Sequence, residues 1–351
     1  MGTTWVAATN VREGRPIVIA HRGASGERPE HTLEAYRLGI EQGADFVEPD
    51  LVSTRDGVLV CRHENEISGT TDVASRPDLA SRRLTKTIDG ASVTGWFTED
   101  LTLAELKTLR SRERLPRLRG TAFDGCFEIP TFEEVLALVA AVNARPERRG
   151  RPVGVYPETK HPSHFEALGL PLEKPLIEAL RRHDLDRADA PVFIQSFETD
   201  NLRRLARTTR VPLIQLIDAE GRPWDLTHGG VARTYADMVR PEGLRDVARY
   251  ARGVGVPKSL VIPRDGYGRS MPPTGLIRDA HAAGLLVHVW TLRAESEFLP
   301  AELRRGTEPS ARGDMAGEAT LFLNAGVDGY FTDHPAIAAA ARDGFVPRRS
   351  P

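Results

Sequence analysis

Short runs rich in β-branched residues alternate with helical patterns along almost the whole chain, and this alternation limits the fold more than any other feature. The runs are PIVIA (16–20), FVEPDLV (46–52), VLVCR (58–62), VGVYPE (153–158), VFIQSF (192–197), PLIQLI (212–217), SLVIP (259–263), LLVHVWTL (285–292) and DGYFTD (328–333). Between most of them apolar residues recur at helical spacing. HTLEAYRLGIEQG puts Leu33, Tyr36 and Ile40 on one face and stops at Gly43. TFEEVLALVAAVN, EKPLIEALRRH, DNLRRLAR, GLRDVARYARG, TGLIRDAHAAG and ATLFLNAG read the same way. Strands that alternate with helices predict a parallel sheet.

Nine strands are one more than an eight-fold barrel needs. Only STRDG separates the second run from the third, too few residues for the crossover that a parallel neighbour requires, so these two form a hairpin. A two-residue type I′ turn at Asp56-Gly57 would pair Arg55 with Val58 and hence set Asp50 opposite His63. The expectation is an α/β chain, a (β/α)8 TIM barrel forming a single domain over residues 1–351. It carries a β-hairpin after strand 2 and an insertion, approximately 64–130, between the hairpin and strand 3. Both the insertion and the long segment after HVWTL leave strand carboxyl ends, where such barrels build their sites.

Composition excludes some partners. With 47 basic against 49 acidic residues and a formal net charge of −2, nothing favours nucleic acid or an anionic membrane surface. Two cysteines, Cys61 and Cys126, make no disulfide framework and read as thiols. The N-terminal stretch lacks the basic and apolar regions of a secretory signal, and no run nears the roughly 18 apolar residues of a spanning helix. This predicts a cytoplasmic protein without stable membrane insertion, or a secreted one if a signal has been removed. The oligomeric state is left open.

Polar groups interrupt the apolar runs near their carboxyl ends: His21 and Arg22, then Glu48 and Asp50, then His63, then Glu158 and Lys160. Glu48 and Asp50, two apart on a strand, share a face, and two like charges at a barrel mouth need neutralising. Glu48, Asp50 and Glu158 form an all-oxygen set suited to a divalent cation, Ca²⁺ or Mg²⁺ with Mn²⁺ also open, and unsuited to zinc. His161, His164, His183, His228, His281 and His334 are read as packing or surface groups, while His31 and His288 stay undecided.

IAHRGASGERPEHTLEAY, GADFVEPDLVSTRDGVLVCRHE with GTTDVA after it, YPETK, FIQSFE, VHVWTLR and GVDGYFTDHP, in this order over residues 17–335, resemble the glycerophosphodiester phosphodiesterase family. The long insertion resembles that of the larger bacterial members. The resemblance implies metal-dependent hydrolysis of a small-molecule glycerophosphodiester to glycerol 3-phosphate and an alcohol. By position it makes His21 and His63 the general acid and base, in an order left open. It likewise makes Arg22 and Lys160 phosphate ligands, Glu48, Asp50 and Glu158 metal ligands, and Gln195, Phe197 and Trp290 lining of the substrate pocket. Glu30 falls in the P-E-[NH]-T motif as an ordering residue, and Glu64 stands where the family usually has aspartate.

The chemistry agrees independently. A phosphodiester anion repels nucleophiles, so cations must offset the charge that builds in the transition state, and an alkoxide leaving group needs a proton. A lysophospholipase D-type enzyme would share these residues but needs an exposed apolar lip, for which Trp96 and Phe97 are the one short candidate. They are read as packing of the insertion on the barrel. A non-catalytic ligand-binding barrel would have little need for the whole set.

Overall fold

A computed structural model describes residues 15–346. The reading of the N-terminal stretch as free of a signal falls on residues 1–14 and lies outside the described residues. Eight parallel strands pair around a closed ring: β1 (Ile17–His21), β2 (Phe46–Glu48 continuing as Asp50–Ser53), β3 (Gly154–Val155 continuing as Glu158–Thr159), β4 (Ile194–Ser196), β5 (Leu213–Leu216), β6 (Gly253–Pro257), β7 (Leu286–Leu292) and β8 (Gly329–Thr332). β8 pairs with both β7 and β1, which closes the barrel.

The breaks in β2 and β3 fall around Pro49 and Pro157, which have no N–H for the ladder. Register runs through both breaks: Phe46 faces Gly154 and Asp50 faces Glu158. The two strands therefore stay straight enough to carry their side-chain alternation to the barrel mouth.

Helices of the predicted spacing follow every strand, among them Leu33–Glu41, Phe132–Asn143, Glu173–Arg182, Thr199–Thr208 and Met315–Ala325. Thr131 caps the second of these in a reciprocal capping box with Glu134, which ends the insertion and starts the barrel helix. Two apolar layers result. The larger lies between strands and helices. The smaller fills the barrel interior with Ile17, Ile19, Phe46, Tyr156, Phe193, Ile214 and Phe331.

Two expectations are corrected. The sixth strand is Gly253–Pro257, and SLVIP is mostly the short helix Lys258–Val261 with the residues after it. GVGVP escapes a propensity reading because Gly253 and Gly255 answer to packing. A Cβ on Gly253 would lie 2.8 Å from the Leu286 carbonyl oxygen, and one on Gly255 2.6 Å from Leu216 Cδ2.

The hairpin register is also one residue off the expected one. Leu51 pairs with Cys61 and Ser53 with Leu59, and the Arg62 N–H bonds the Asp50 carbonyl at 3.0 Å. Asp50 thus faces Arg62, not His63. The loop is a three-residue one closed by Thr54 and Val58, with Gly57 alone at positive φ (+79°). A two-residue Asp-Gly turn does occur, at Asp89-Gly90 in the insertion, where both residues have positive φ (46° and 81°). It joins the strands Leu84–Ile88 and Ala91–Gly95.

Trp96 and Phe97 are buried, and Trp96 Nε1 donates to the Leu79 carbonyl at 2.7 Å, so they form no exposed lip. Cys61 is buried, Cys126 exposed, and both are free. Among the described residues no helix is long and apolar enough to cross a membrane.

The two glycine settings predict different costs. Nothing lies within 4 Å of a Cβ at Gly57, so Gly57→Ala should lose only the left-handed backbone penalty, about 1–2 kcal/mol, with Asn losing less. Gly253→Ala meets backbone and should cost more, on the order of 3 kcal/mol or above. Urea unfolding of both variants checks this, and equal losses would contradict the interior placement of Gly253.

Candidate active site

The register of the strands sets the site before any side chain is considered. His21 lies beside Glu48, and Asp50 beside Glu158, which in turn lies beside Gln195. One oxygen from each of Glu48, Asp50 and Glu158 lies within 4.8 Å of the others, and all three residues are buried. Burial and the Asp50 charge push the Glu48 carboxyl well above its usual value. Burial, against the pull of Lys160 and with the push of Asp50, raises Glu158 from 4.5 to about 8. Asp50 goes the other way: burial opposes its ionisation, but the His31 hydrogen bond and Arg22 together hold it well below the usual range.

Asp50 Oδ1 is buried without a hydrogen-bond partner, and the donor set is entirely hard oxygen. The triad could hold a metal ion.

Around it the remaining contacts aim each group. Gln195 Nε2 donates to Glu48 Oε1 at 3.0 Å, and the Arg22 N–H donates to Glu48 Oε2 at 2.9 Å. Arg22 has φ +59°, a left-handed conformation costly for a branched-at-Cβ or long side chain and typical of strained functional loops. Its guanidinium bonds Glu30 Oε2 at 3.0 Å and stands 3.2 Å from Asp50 Oδ2. Burial disfavours the Glu30 anion, but Arg22 and Arg114 together hold its carboxyl well below the usual range. Lys160 Nζ lies 2.9 Å from Glu158 Oε1 and 3.4 Å from His63 Nε2.

Each histidine leans on a carboxylate through Nδ1. His21 Nδ1 is 2.6 Å from Asp333 Oδ1, and His63 Nδ1 is 2.7 Å from Glu64 Oε1. An ionised carboxylate only accepts, so each Nδ1 carries the proton and each Nε2 keeps a lone pair. Burial and the Arg22 charge lower His21 to about 4, and burial, Arg22 and Lys160 lower His63 to about 3. Both rings are neutral near pH 7. Glu64, the residue where aspartate was expected, accepts the orienting bond and accepts a second one from His161 Nε2 at 3.0 Å.

All ten site residues predicted from sequence come together here. His21, Arg22, Glu48, His63, Glu158, Lys160, Gln195, Phe197 and Trp290 line one cavity of about 840 Å³, and Asp50 lies beneath them. The sequence reading missed Asp333, which holds His21, although it directly follows β8, whose last residue, Thr332, pairs with Ala20 just before His21. His31, left undecided, is a positioning residue: fully buried, it bonds Asp50 at 2.9 Å and Tyr36 OH at 2.7 Å. His288 is a core group bonded to Tyr156 OH.

Comparison with known proteins agrees with this geometry. Residues 21–337 match the model of the Glycerophosphoryl diester phosphodiesterase family. The chain is 37% identical over 336 residues to glycerophosphodiester phosphodiesterase GDPD6 of Arabidopsis thaliana, covering 92% of this chain and 85% of the relative. It is 29% identical to a glycerophosphodiester phosphodiesterase of Haemophilus influenzae, over 91% of this chain and 87% of that one. Among solved structures, an Oleispira antarctica phosphodiesterase in complex with the product sn-glycerol-3-phosphate has the same fold (TM-score 0.60, 21% identity, 96% and 100% of the two chains). So does a glycerophosphoryl diester phosphodiesterase structure from Silicibacter pomeroyi (TM-score 0.65, 21% identity, 95% and 94%). A barrel whose strand ends converge on this set of groups, matched by the family along nearly its whole length, is an enzyme of the glycerophosphoryl diester phosphodiesterase family.

Proposed function

We propose that this chain hydrolyses glycerophosphodiesters to glycerol 3-phosphate and an alcohol, with one divalent cation, Mg²⁺ or Ca²⁺, held by Glu48, Asp50 and Glu158. The observation that carries the reading is two neutral, carboxylate-aimed histidines beside a cationic phosphate cradle and a buried carboxylate triad. Arg22 and Lys160 bind the phosphate oxygens. One histidine takes the proton of the attacking hydroxyl, whether water or the substrate's own glycerol hydroxyl, through its free Nε2. The other takes up a proton at Nε2 once the phosphate anion sits beside it and gives that proton to the departing alkoxide, and exchange with water then resets both rings. A bound cation would neutralise the triad and the charge that develops on the phosphorus oxygens. Gln195, Phe197 and Trp290 line the space for the organic part of the substrate, and barrel and insertion act as one catalytic domain. The burial of Trp96 and Phe97 removes the apolar lip on which a lysophospholipid reading would rest.

Turnover of glycerophosphocholine with and without added cation, and after chelation, tests the reaction directly. Glu158→Gln should lower kcat on the order of 10²-fold or more while the fold is kept, since several kcal/mol of charge stabilisation go with the cation. Full activity in that variant would refute the triad.

Protons and cation compete for the same oxygens. A carboxyl whose folded pKa is raised stabilises the fold fully below its unfolded value and loses that contribution as pH rises through the folded one. For Glu158 the window is 4.5 to about 8, but the lowered histidines act in the opposite sense below 6.5. The gain in Tm on adding cation should therefore widen between about pH 6.5 and 8, and a constant gain would count against cation binding at these groups.

His21→Ala and His63→Ala should each lower kcat by roughly 10² to 10⁴, and their losses should not add. On a nitrophenyl ester, which leaves without protonation, only the variant lacking the acid should recover. Equal recovery by both, or by neither, would refute the division of roles.

A further inference from the structure

The insertion meets the barrel mouth through two arginines, neither of which lines the cavity. Arg114 Nε donates to Glu30 Oε2 at 2.8 Å, the oxygen that also receives Arg22 at 3.0 Å. Arg119 reaches further across the mouth. Its Nη2 donates to Asp333 Oδ2 at 2.5 Å, its Nε to Glu295 Oε1 at 2.6 Å and its Nη1 to the Ser25 carbonyl at 2.9 Å. The side chains of Arg119 and Asp333 are 5% and 1% exposed, so this contact is shielded from solvent. Arg293 takes the same Asp333 oxygen at 2.7 Å, which leaves Oδ1 for His21.

Two parallel chains of contact result, Arg114 to Glu30 to Arg22, and Arg119 to Asp333 to His21. A lone carboxylate turns about its last bond, whereas one held by charge-assisted bonds on one oxygen presents the other in a fixed direction. Resting on the phosphodiesterase reading above, we propose that the insertion is a positioning element of the active site. Arg114 sets the phosphate-binding Arg22, and Arg119 sets the ring of His21. A second layer that aims the first is what remote supporting residues commonly supply.

The two chains end on groups with different tasks, so their losses separate. Arg114→Gln should raise KM about 10-fold with little change in kcat, and Arg119→Gln should lower kcat about 10- to 100-fold with little change in KM. Arg119→Lys should recover part of the loss, because lysine can meet Asp333 but not Glu295 and Ser25 as well. A merely structural brace would move both parameters together in both variants, in step with the unfolded fraction measured by circular dichroism, and that result overturns the proposal.

Nitrogen-15 NMR of the His21 ring gives an answer without turnover. The wild type and Arg114→Gln should show the single Nδ1–H tautomer, and Arg119→Gln a mixture. An unchanged His21 spectrum in Arg119→Gln overturns the proposal. The expected mixture in a wild-type background that hydrolyses no glycerophosphodiester would support the positioning role and refute the phosphodiesterase reading instead.

Discussion

Three carboxylates confined within 4.8 Å at the mouth of a barrel are the constraint on which the rest of the structure depends. Ionised together and unpaired, they would repel one another in a medium that solvates charge poorly. The protein answers by division. Asp50 is kept ionised by His31 and Arg22, while the carboxyls of Glu48 and Glu158 are pushed above their usual range. Arg22 and Lys160 serve this balance, since the one stands beside Asp50 and the other beside Glu158.

The histidines follow from the same field. Burial and Arg22, joined at His63 by Lys160, keep both rings neutral, which is the state in which Nε2 can accept a proton. Ring direction then becomes the remaining variable, and it is set by Asp333 for His21 and Glu64 for His63. Asp333 is buried and clamped by two arginines, while Glu64 is about half exposed. The two rings are thus aimed by supports of different stiffness.

Much of this was legible in the residue order. The period of two that puts Glu48 and Asp50 on one face survives Pro49 because register is kept through the break, and the carboxyl-end rule located His21, Lys160 and Glu158. What escaped was governed by contacts between distant segments. Gly253 and Gly255 look like a helix end until Leu286 and Leu216 are placed against them. Asp56-Gly57 is compatible with a two- or a three-residue loop, and the pairing of Leu51 with Cys61 decides between them. Asp333 is 312 residues from His21 and has no local pattern that joins them.

By itself, then, the sequence determined the class of barrel and the identity of the groups at its mouth. These depend on periodicity and residue chemistry, which are local. Only the tertiary structure decided hairpin register, the sixth strand, the direction in which each carboxyl departs from its usual titration range and the arginines that stand behind Glu30 and Asp333. Those depend on distance and burial, and neither exists until the eighth strand has closed on the first.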